Sequence, residues 1–255
     1  DRFSKTKSNT IVSLPNVNGS MERYEVFEAS NFEADLQAQY PNIRSYIGIG
    51  IDDKHAQVRF SVDPNGIQAM IFRAGKKNEF MEPYSQDGSV YAVYNSSRVK
   101  GKLPFTCSTE DHALITNIDP QTLRANNSVL KTLRLALSCN GEYANYFGAT
   151  SSLQSGLVLA AYNATMTRVN GVFEKDFAVH MNIVAGSTNV IYYNASTDPY
   201  STATAAAVPN SWNSELQVAL NTTLTGASTS LAANNAAYDV GHLFGAFGGG
   251  GNAGC

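Results

Sequence analysis

The sequence predicts a mixed α and β chain of the α+β/α/β kind. A small, mostly antiparallel β domain comes first, and a mixed β-sheet with two packed helices follows. Three observations predict this. In the first half, apolar residues alternate with polar ones between strong turn signals. In the second half, strand-period stretches are interleaved with two helix-period stretches. Charge also thins abruptly: 14 Lys/Arg and 15 Asp/Glu fall in residues 1–128, but only 4 and 6 in residues 129–255. The polar stretch Arg124-Ala-Asn-Asn-Ser128 reads as a linker at that shift, giving domains of 1–128 and 129–255.

In the first half, a short helix is predicted from Phe32 to Gln39, just ahead of Pro41. Ile43 to Ile51 is rich in β-branched and aromatic residues, and Ala56 to Val62 alternates, so both read as strands. Pro64-Asn-Gly66 supplies a turn, because Pro presets φ and Asn-Gly tolerates positive φ. Ile67 to Phe72 returns as the partner strand, and Asp87-Gly88 turns the chain into Ser89 to Tyr94.

In the second half, Leu133, Leu135 and Leu137 alternate, giving a strand over 130–138. Ser151 or Ser152 can cap a helix, and Leu153, Leu157, Ala160, Ala164 and Arg168 follow at helical spacing, giving a helix over 152–169. Phe177, Val179, Met181 and Ile183 alternate as a strand, and Val190 to Tyr193 reads as another. Asn210 or Ser211 caps a second helix carrying Trp212, Leu216, Ala219 and Leu220. Ala203 to Val208 is a small-residue loop. Tyr238 to Phe244 is the last strand, ended by the run Gly248 to Gly251.

Composition excludes several classes. The formal net charge is -3 with no dense basic run, which argues against a nucleic-acid binder. No stretch reaches the roughly 18 apolar residues that a membrane span needs. Three cysteines are too few for a disulfide framework and odd in number. Asn, Ser, Thr and Ala are plentiful and charge is scarce, which suits a secreted, extracellular bacterial enzyme.

The four histidines are His55, His112, His180 and His242, and no two stand at the i, i+4 spacing that puts two imidazoles on one helix face around zinc. No CxxC pair, GxSxG elbow or phosphate loop occurs. The carboxylate pairs Asp52-Asp53 and Glu110-Asp111 lie in polar, turn-like settings and read as solvated loop charges.

Four stretches carry a family resemblance. Leu133-Arg-Leu-Ala-Leu-Ser-Cys-Asn-Gly-Glu-Tyr143 resembles the first strand of the catalytic domain in bacterial reprolysin-like (adamalysin-type) metzincin proteases. Met166 to Asp176 is similar to the end of their first helix and the turn after it. Ile191-Tyr-Tyr-Asn-Ala-Ser-Thr-Asp-Pro-Tyr200 also matches their pattern, and Tyr238 to Cys255 resembles the segment before their zinc-binding helix. Together these stretches span 129–255 in the family's order. Residues 43–72 resemble, more loosely, the prodomain that precedes such a catalytic domain.

The resemblance implies a secreted zinc-dependent endopeptidase acting on peptide or protein substrates. The HExxHxxGxxH helix that holds the zinc and the general base is not in this sequence, so the chain is expected to be inactive alone. It would supply the prodomain and the substrate rim, with the rest of the protein as a partner. The resemblance assigns the rim to Gly241, His242, Leu243, Phe244 and Gly245, whose edge backbone would pair with an extended peptide. His242 is then a rim contact rather than a metal ligand, or simply a polar side chain on a strand face. Cys107 is either an ordinary thiol or, as in metzincin prodomains, an inhibitory ligand of the catalytic zinc. Cys139 and Cys255 leave two pairings open, with each other or with cysteines beyond residue 255. The alternative function is a non-catalytic peptide-binding or inhibitory decoy. A sheet ending at its rim would also expose an apolar face and invite dimerisation.

Overall fold

The computed structural model describes residues 10–85, 87–96, 129–202 and 211–246, and the backbone alone of 106–107 and 250–251. The Arg124–Ser128 stretch, His112, the pair Glu110-Asp111, the Ala203–Val208 loop, Asn210, Gly248, Gly249, Cys255 and the side chain of Cys107 lie outside the described residues. The chain divides into two compact units.

The first unit is a seven-stranded antiparallel meander. Its strands are β1 (Ile11–Pro15), β2 (Met21–Glu28), β3 (Arg44–Gly50), β4 (Gln57–Asp63), β5 (Gly66–Phe72), β6 (Glu79–Pro83) and β7 (Tyr91–Asn95), paired in sequence order. Helix α1 (Ala34–Gln39) joins β2 to β3. Strand alternation builds the core: Tyr24 and Val26 of β2 are buried while the charged residues between and beside them are not. They pack with Leu14, Val58, Phe60, Ile71 and Met81. The β4–β5 hairpin closes at the Asp63-Gly66 pair. Asp63 Oδ1 accepts from the Asn65 N–H at 2.7 Å, and Gly66 takes a φ of 123° that a side chain would resist. The Pro64-Asn-Gly66 turn is therefore where the sequence places it.

The ends of the meander are held by a polar network. The guanidinium of Arg73 is buried, 2.7 Å from Glu22 Oε2, 3.0 Å from Glu79 Oε2 and 3.4 Å from Asp53 Oδ2. Asp52, its neighbour, pairs with Arg23 at 2.6 Å. Asp52 and Asp53 are thus ion-pair partners as well as loop charges. Residues 159–172 of the long helix α3 (Ser155–Phe177) belong to this first unit.

The second unit holds a parallel sheet in the order β10-β9-β11, made of β9 (Lys131–Cys139), β10 (Val179–Ile183) and β11 (Val240–Phe244). Helices α2 (Gly141–Tyr146), α4 (Trp212–Thr223) and α5 (Leu231–Ala236) accompany it. A two-residue parallel pair joins β8 (Thr106–Cys107) to β12 (Gly250–Gly251). Ala136, Val184, Val190, Leu220 and Leu224 form one of its buried clusters. No helix among the described residues is long and apolar enough to cross a membrane.

The structure departs from the sequence pattern at Val190–Tyr193, at both ends of α3, and at Ser211, which makes no side-chain cap bond for α4. The stretch Val190–Tyr193 is not a strand: a 3-10 turn spans Ala185–Val190, and only an isolated bridge links Ile191 to Cys139. Ser138 Oγ donates to the Val190 carbonyl at 2.6 Å, so a side chain takes a position that a ladder bond would otherwise fill. Helix α3 runs on to Phe177 rather than turning at Asn170-Gly171. A β-carbon on residue 171 would come within 2.9 Å of Arg59 Cγ and 3.0 Å of the Phe72 ring. That close packing keeps a helix-weakening glycine inside the helix. The helix stops at Ala178, whose φ of 54° turns the chain out of the α region. Its first turn is a 3-10 turn at Ser152–Gln154, and Ser151 makes no side-chain cap bond there.

Candidate substrate-binding edge

β9 is the central strand, and its Leu135 to Cys139 are buried. β11 runs parallel to it, with Val240 opposite Leu135 and Phe244 opposite Cys139. Among the described residues no further strand pairs with β11, which makes it an end strand. The five residues assigned to the rim, Gly241 to Gly245, therefore lie together on or just past one sheet edge.

Both ends of β11 are clamped. At the start, Asp239 accepts from the Arg134 backbone N–H at 2.8 Å and from Arg134 Nη2 at 2.7 Å, while its own N–H donates to the Arg134 carbonyl at 2.9 Å. The side-chain hydrogen bonds from Arg134 hold the Asp239 carboxyl down to about 2. At the far end, Asn140 Oδ1 accepts from the Tyr143 N–H at 3.0 Å, capping α2, and from the Ala246 N–H at 3.3 Å. The Asn140 N–H in turn donates to the Phe244 carbonyl at 3.3 Å.

Alternation divides β11 into two faces. Gly241 and Gly245 press against α4: a β-carbon would lie 2.5 Å from Leu220 Cδ1 at residue 241 and 2.4 Å from Trp212 Cη2 at residue 245. Leu243 packs on Tyr200, Trp212 and Ala219. His242 and Phe244 turn the other way. Phe244 stacks on Tyr143 at 5.4 Å, and the His242 ring meets Phe244 edge-on at 4.7 Å. Crowding desolvates the His242 imidazole and lowers its pKa from the ordinary histidine value, although the residue keeps an exposed side. Phe147 touches Tyr143 at 5.0 Å, and Tyr146 beside it is 79% exposed. The edge thus has an aromatic side and a glycine side, and His242 on the first and Gly245 on the second are both exposed.

A loop supports this end of the sheet. Asp198 accepts from the Gly141 N–H at 2.7 Å and from the Tyr200 N–H at 3.0 Å. Since Ser138 Oγ donates to Val190, the Tyr200 hydroxyl donates to Ser138 at 2.6 Å. Burial pushes the Tyr200 phenol above its ordinary pKa and keeps that proton in place. Sequence reading missed Asn140, Tyr143, Asp198 and the glycine–tryptophan contact. Asn140 carried a usable signal, an N-cap residue just ahead of a helix. The others did not, because the partners that tie them to the sheet edge, Phe244 for Tyr143, Gly141 for Asp198 and Trp212 for Gly245, are far away in the chain.

Residues 129–254 match metallopeptidase family M12B, reprolysin-like. Residues 129–254 belong to the reprolysin-like metallopeptidases. A search of curated proteins finds no match. Metallopeptidases of family M12B depend on zinc and act on peptides or proteins. In this reprolysin-like chain, the described residues do not fit the metal: among them no three or more His, Cys, Asp or Glu side chains come together to hold an ion. His180 is engaged elsewhere, 2.7 Å from Glu174 Oε1 and 2.7 Å from Asn182 Oδ1.

Proposed function

We propose that these 255 residues work as part of a secreted zinc-dependent endopeptidase, with Gly241 to Gly245 as the rim on which an extended peptide pairs. The observation that carries this reading is β11 itself, an end strand of a metallopeptidase sheet with both ends fixed by Asp239 and Asn140. Strand addition takes its affinity from main-chain hydrogen bonds, so a rim must hold its backbone still. The ring of His242 and the aromatic cluster Tyr143, Phe147 and Phe244 would meet peptide side chains. The zinc ligands in this reading are not among these residues, and the chain alone is inactive. Residues 1–128 act as the prodomain.

Cys107 remains the candidate inhibitory ligand. The parallel pairing of Thr106–Cys107 with Gly250–Gly251 supports this, since it brings that backbone beside the glycine run that follows β11. A second reading, a peptide-binding or inhibitory decoy, is favoured by the lack of a metal-holding cluster among the described residues.

Amide NMR shifts during titration with a non-cleavable extended peptide test the rim. Shifts concentrated at 241–246 are expected, and their absence at saturating peptide would sink the reading. Incubation with zinc and casein tests the other half, where no enzyme-like turnover is expected. Turnover would show that the chain is a complete peptidase.

A further inference from the structure

Asn-Gly occurs four times in the sequence, at Asn18-Gly19, Asn65-Gly66, Asn140-Gly141 and Asn170-Gly171. Glycine has no β-carbon to shield its backbone nitrogen, so in this pair that nitrogen can reach the amide carbon of the neighbouring side chain. The fold treats the four pairs differently. Asn140 is 3% exposed and its Oδ1 accepts from two backbone amides, while the Gly141 N–H donates to Asp198 Oδ2 at 2.7 Å. Asn170 is 1% exposed inside α3, and its Nδ2 donates to Asn31 Oδ1 at 3.0 Å. Asn65 is exposed, but its N–H donates to the Asp63 carboxylate at 2.7 Å, and the Tyr91 hydroxyl stands where a β-carbon of residue 66 would lie. A carboxylate beside this peptide opposes the negative charge that must build on the attacking nitrogen.

Asn18-Gly19 has none of these restraints. Both residues are exposed at the tip of the β1–β2 turn, where Gly19 takes a φ of 80° and a β-carbon on it would meet nothing within 4 Å. Among the described residues no hydrogen bond holds the Asn18 side chain. The Gly19 N–H donates to the Asn16 carbonyl at 3.0 Å, a turn bond at an exposed loop tip that opens by local fraying. The carboxylate of Glu79, which meets the Val17 N–H at 3.4 Å, is neutralised by Arg73 at 3.0 Å. We propose that Asn18 is a self-modification site, where the side-chain amide becomes a carboxylate with water as the co-reactant, and that the fold protects the other three Asn-Gly pairs. The Gly19 nitrogen bonds to Asn18 Cγ as the side-chain Cγ–N bond breaks, and the proton from Gly19 leaves with the amine as ammonia. The cyclic imide so formed takes up a water. Opening at Cγ gives aspartate, and opening at the backbone carbonyl gives isoaspartate, with an extra methylene in the main chain. Asn16 Oδ1 accepts from the N–H groups of residue 18 at 3.0 Å and Ser20 at 3.1 Å, a spacing that the lengthened chain does not keep.

The test uses the full chain, aged in buffer at neutral to mildly alkaline pH, then digested and read by peptide mass, with ammonia release followed in parallel. The peptide carrying Asn18 should gain the acid first, about tenfold ahead of those carrying Asn65, Asn140 and Asn170, because each of these must first give up a restraint. Any other Asn-Gly peptide converting as fast as that of Asn18 in the folded chain overturns the proposal. So does an Asn18 peptide that stays unchanged in the folded chain while it converts in urea. In urea, where the fold is lost, the four rates should draw together; a lag at the other three that persists there overturns their protection by the fold. Asn18→Gln places a longer amide, which closes a ring less readily, at the same exposed turn. It should remove the fast phase of ammonia release, and a fast phase that persists overturns the assignment to this residue.

Discussion

Gly245 lies against the indole of Trp212, so closely that a β-carbon on residue 245 would stand 2.4 Å from Cη2 and 2.6 Å from Cζ3. The indole cannot yield easily, because its Nε1–H donates to the Ser201 carbonyl at 2.7 Å. At Gly241 the nearest atom is the flexible end of Leu220. Gly245→Ala should therefore destabilise the protein by about 1–3 kcal/mol, and Gly241→Ala by less. Trp212 is the single tryptophan, so urea unfolding followed by its fluorescence measures both directly. Equal losses at the two positions would contradict the packing described.

Asn140 serves two amides with one oxygen. Asn140→Ala should cost about 1–2 kcal/mol through the lost cap. It should also raise hydrogen exchange at Tyr143 and Ala246 together. Exchange rising at Tyr143 alone would mean that Asn140 does not fasten the end of β11.

Asp239 gives a pH dependence of known sign. Its folded pKa, held to about 2 by Arg134, lies below the value of about 3.9 for an unfolded aspartate. Between those values the unfolded chain binds more protons, so stability falls as pH falls through this window. The contribution is fully present above about pH 4. The Asp239 side chain is 36% exposed and screened by solvent, so the effect is modest. Thermal melts of wild type and Asp239→Asn should converge as pH drops from 5 to about 2. Parallel curves over that range would rule the linkage out.

Arg73 is set against Glu22, Glu79 and Asp53, and Lys76 adds a second positive charge near Asp53. Arg73→Met removes the ion-pair partner of the buried Glu79 and of the half-buried Glu22, which keeps its hydrogen bonds from Asn16 and Tyr24. Breaking a buried pair in this way costs about 3–5 kcal/mol. Denaturation monitored by circular dichroism checks this. A loss under about 1 kcal/mol would show that solvent already reaches the carboxylates.

Local pattern was enough for much of the fold. The alternation of Gln57–Asp63 and Gly66–Phe72 around Pro64-Asn-Gly66 appears as the β4–β5 hairpin, because side-chain period and turn chemistry act over a few residues. Leu133, Leu135 and Leu137 likewise lie in β9. β1 and β2 escaped notice because Glu22, Arg23 and Glu25 mask an inward face made of little more than Tyr24 and Val26. α2, six residues like α1, escaped because no proline marks its end as Pro41 marks that of α1.

The family resemblance and the position of β11 follow from residues close in sequence, and the sequence by itself determined both. Distant partners decided the rest. Gly171 stays helical because Arg59 and Phe72 lie where its side chain would be. Val190 leaves the sheet because Ser138 claims its carbonyl. Gly245 is fixed less by its own backbone freedom than by Trp212. A one-dimensional pattern encodes which face of a strand or helix is apolar. It does not encode what arrives to cover that face, and steric exclusion and hydrogen-bond matching are settled only when it does.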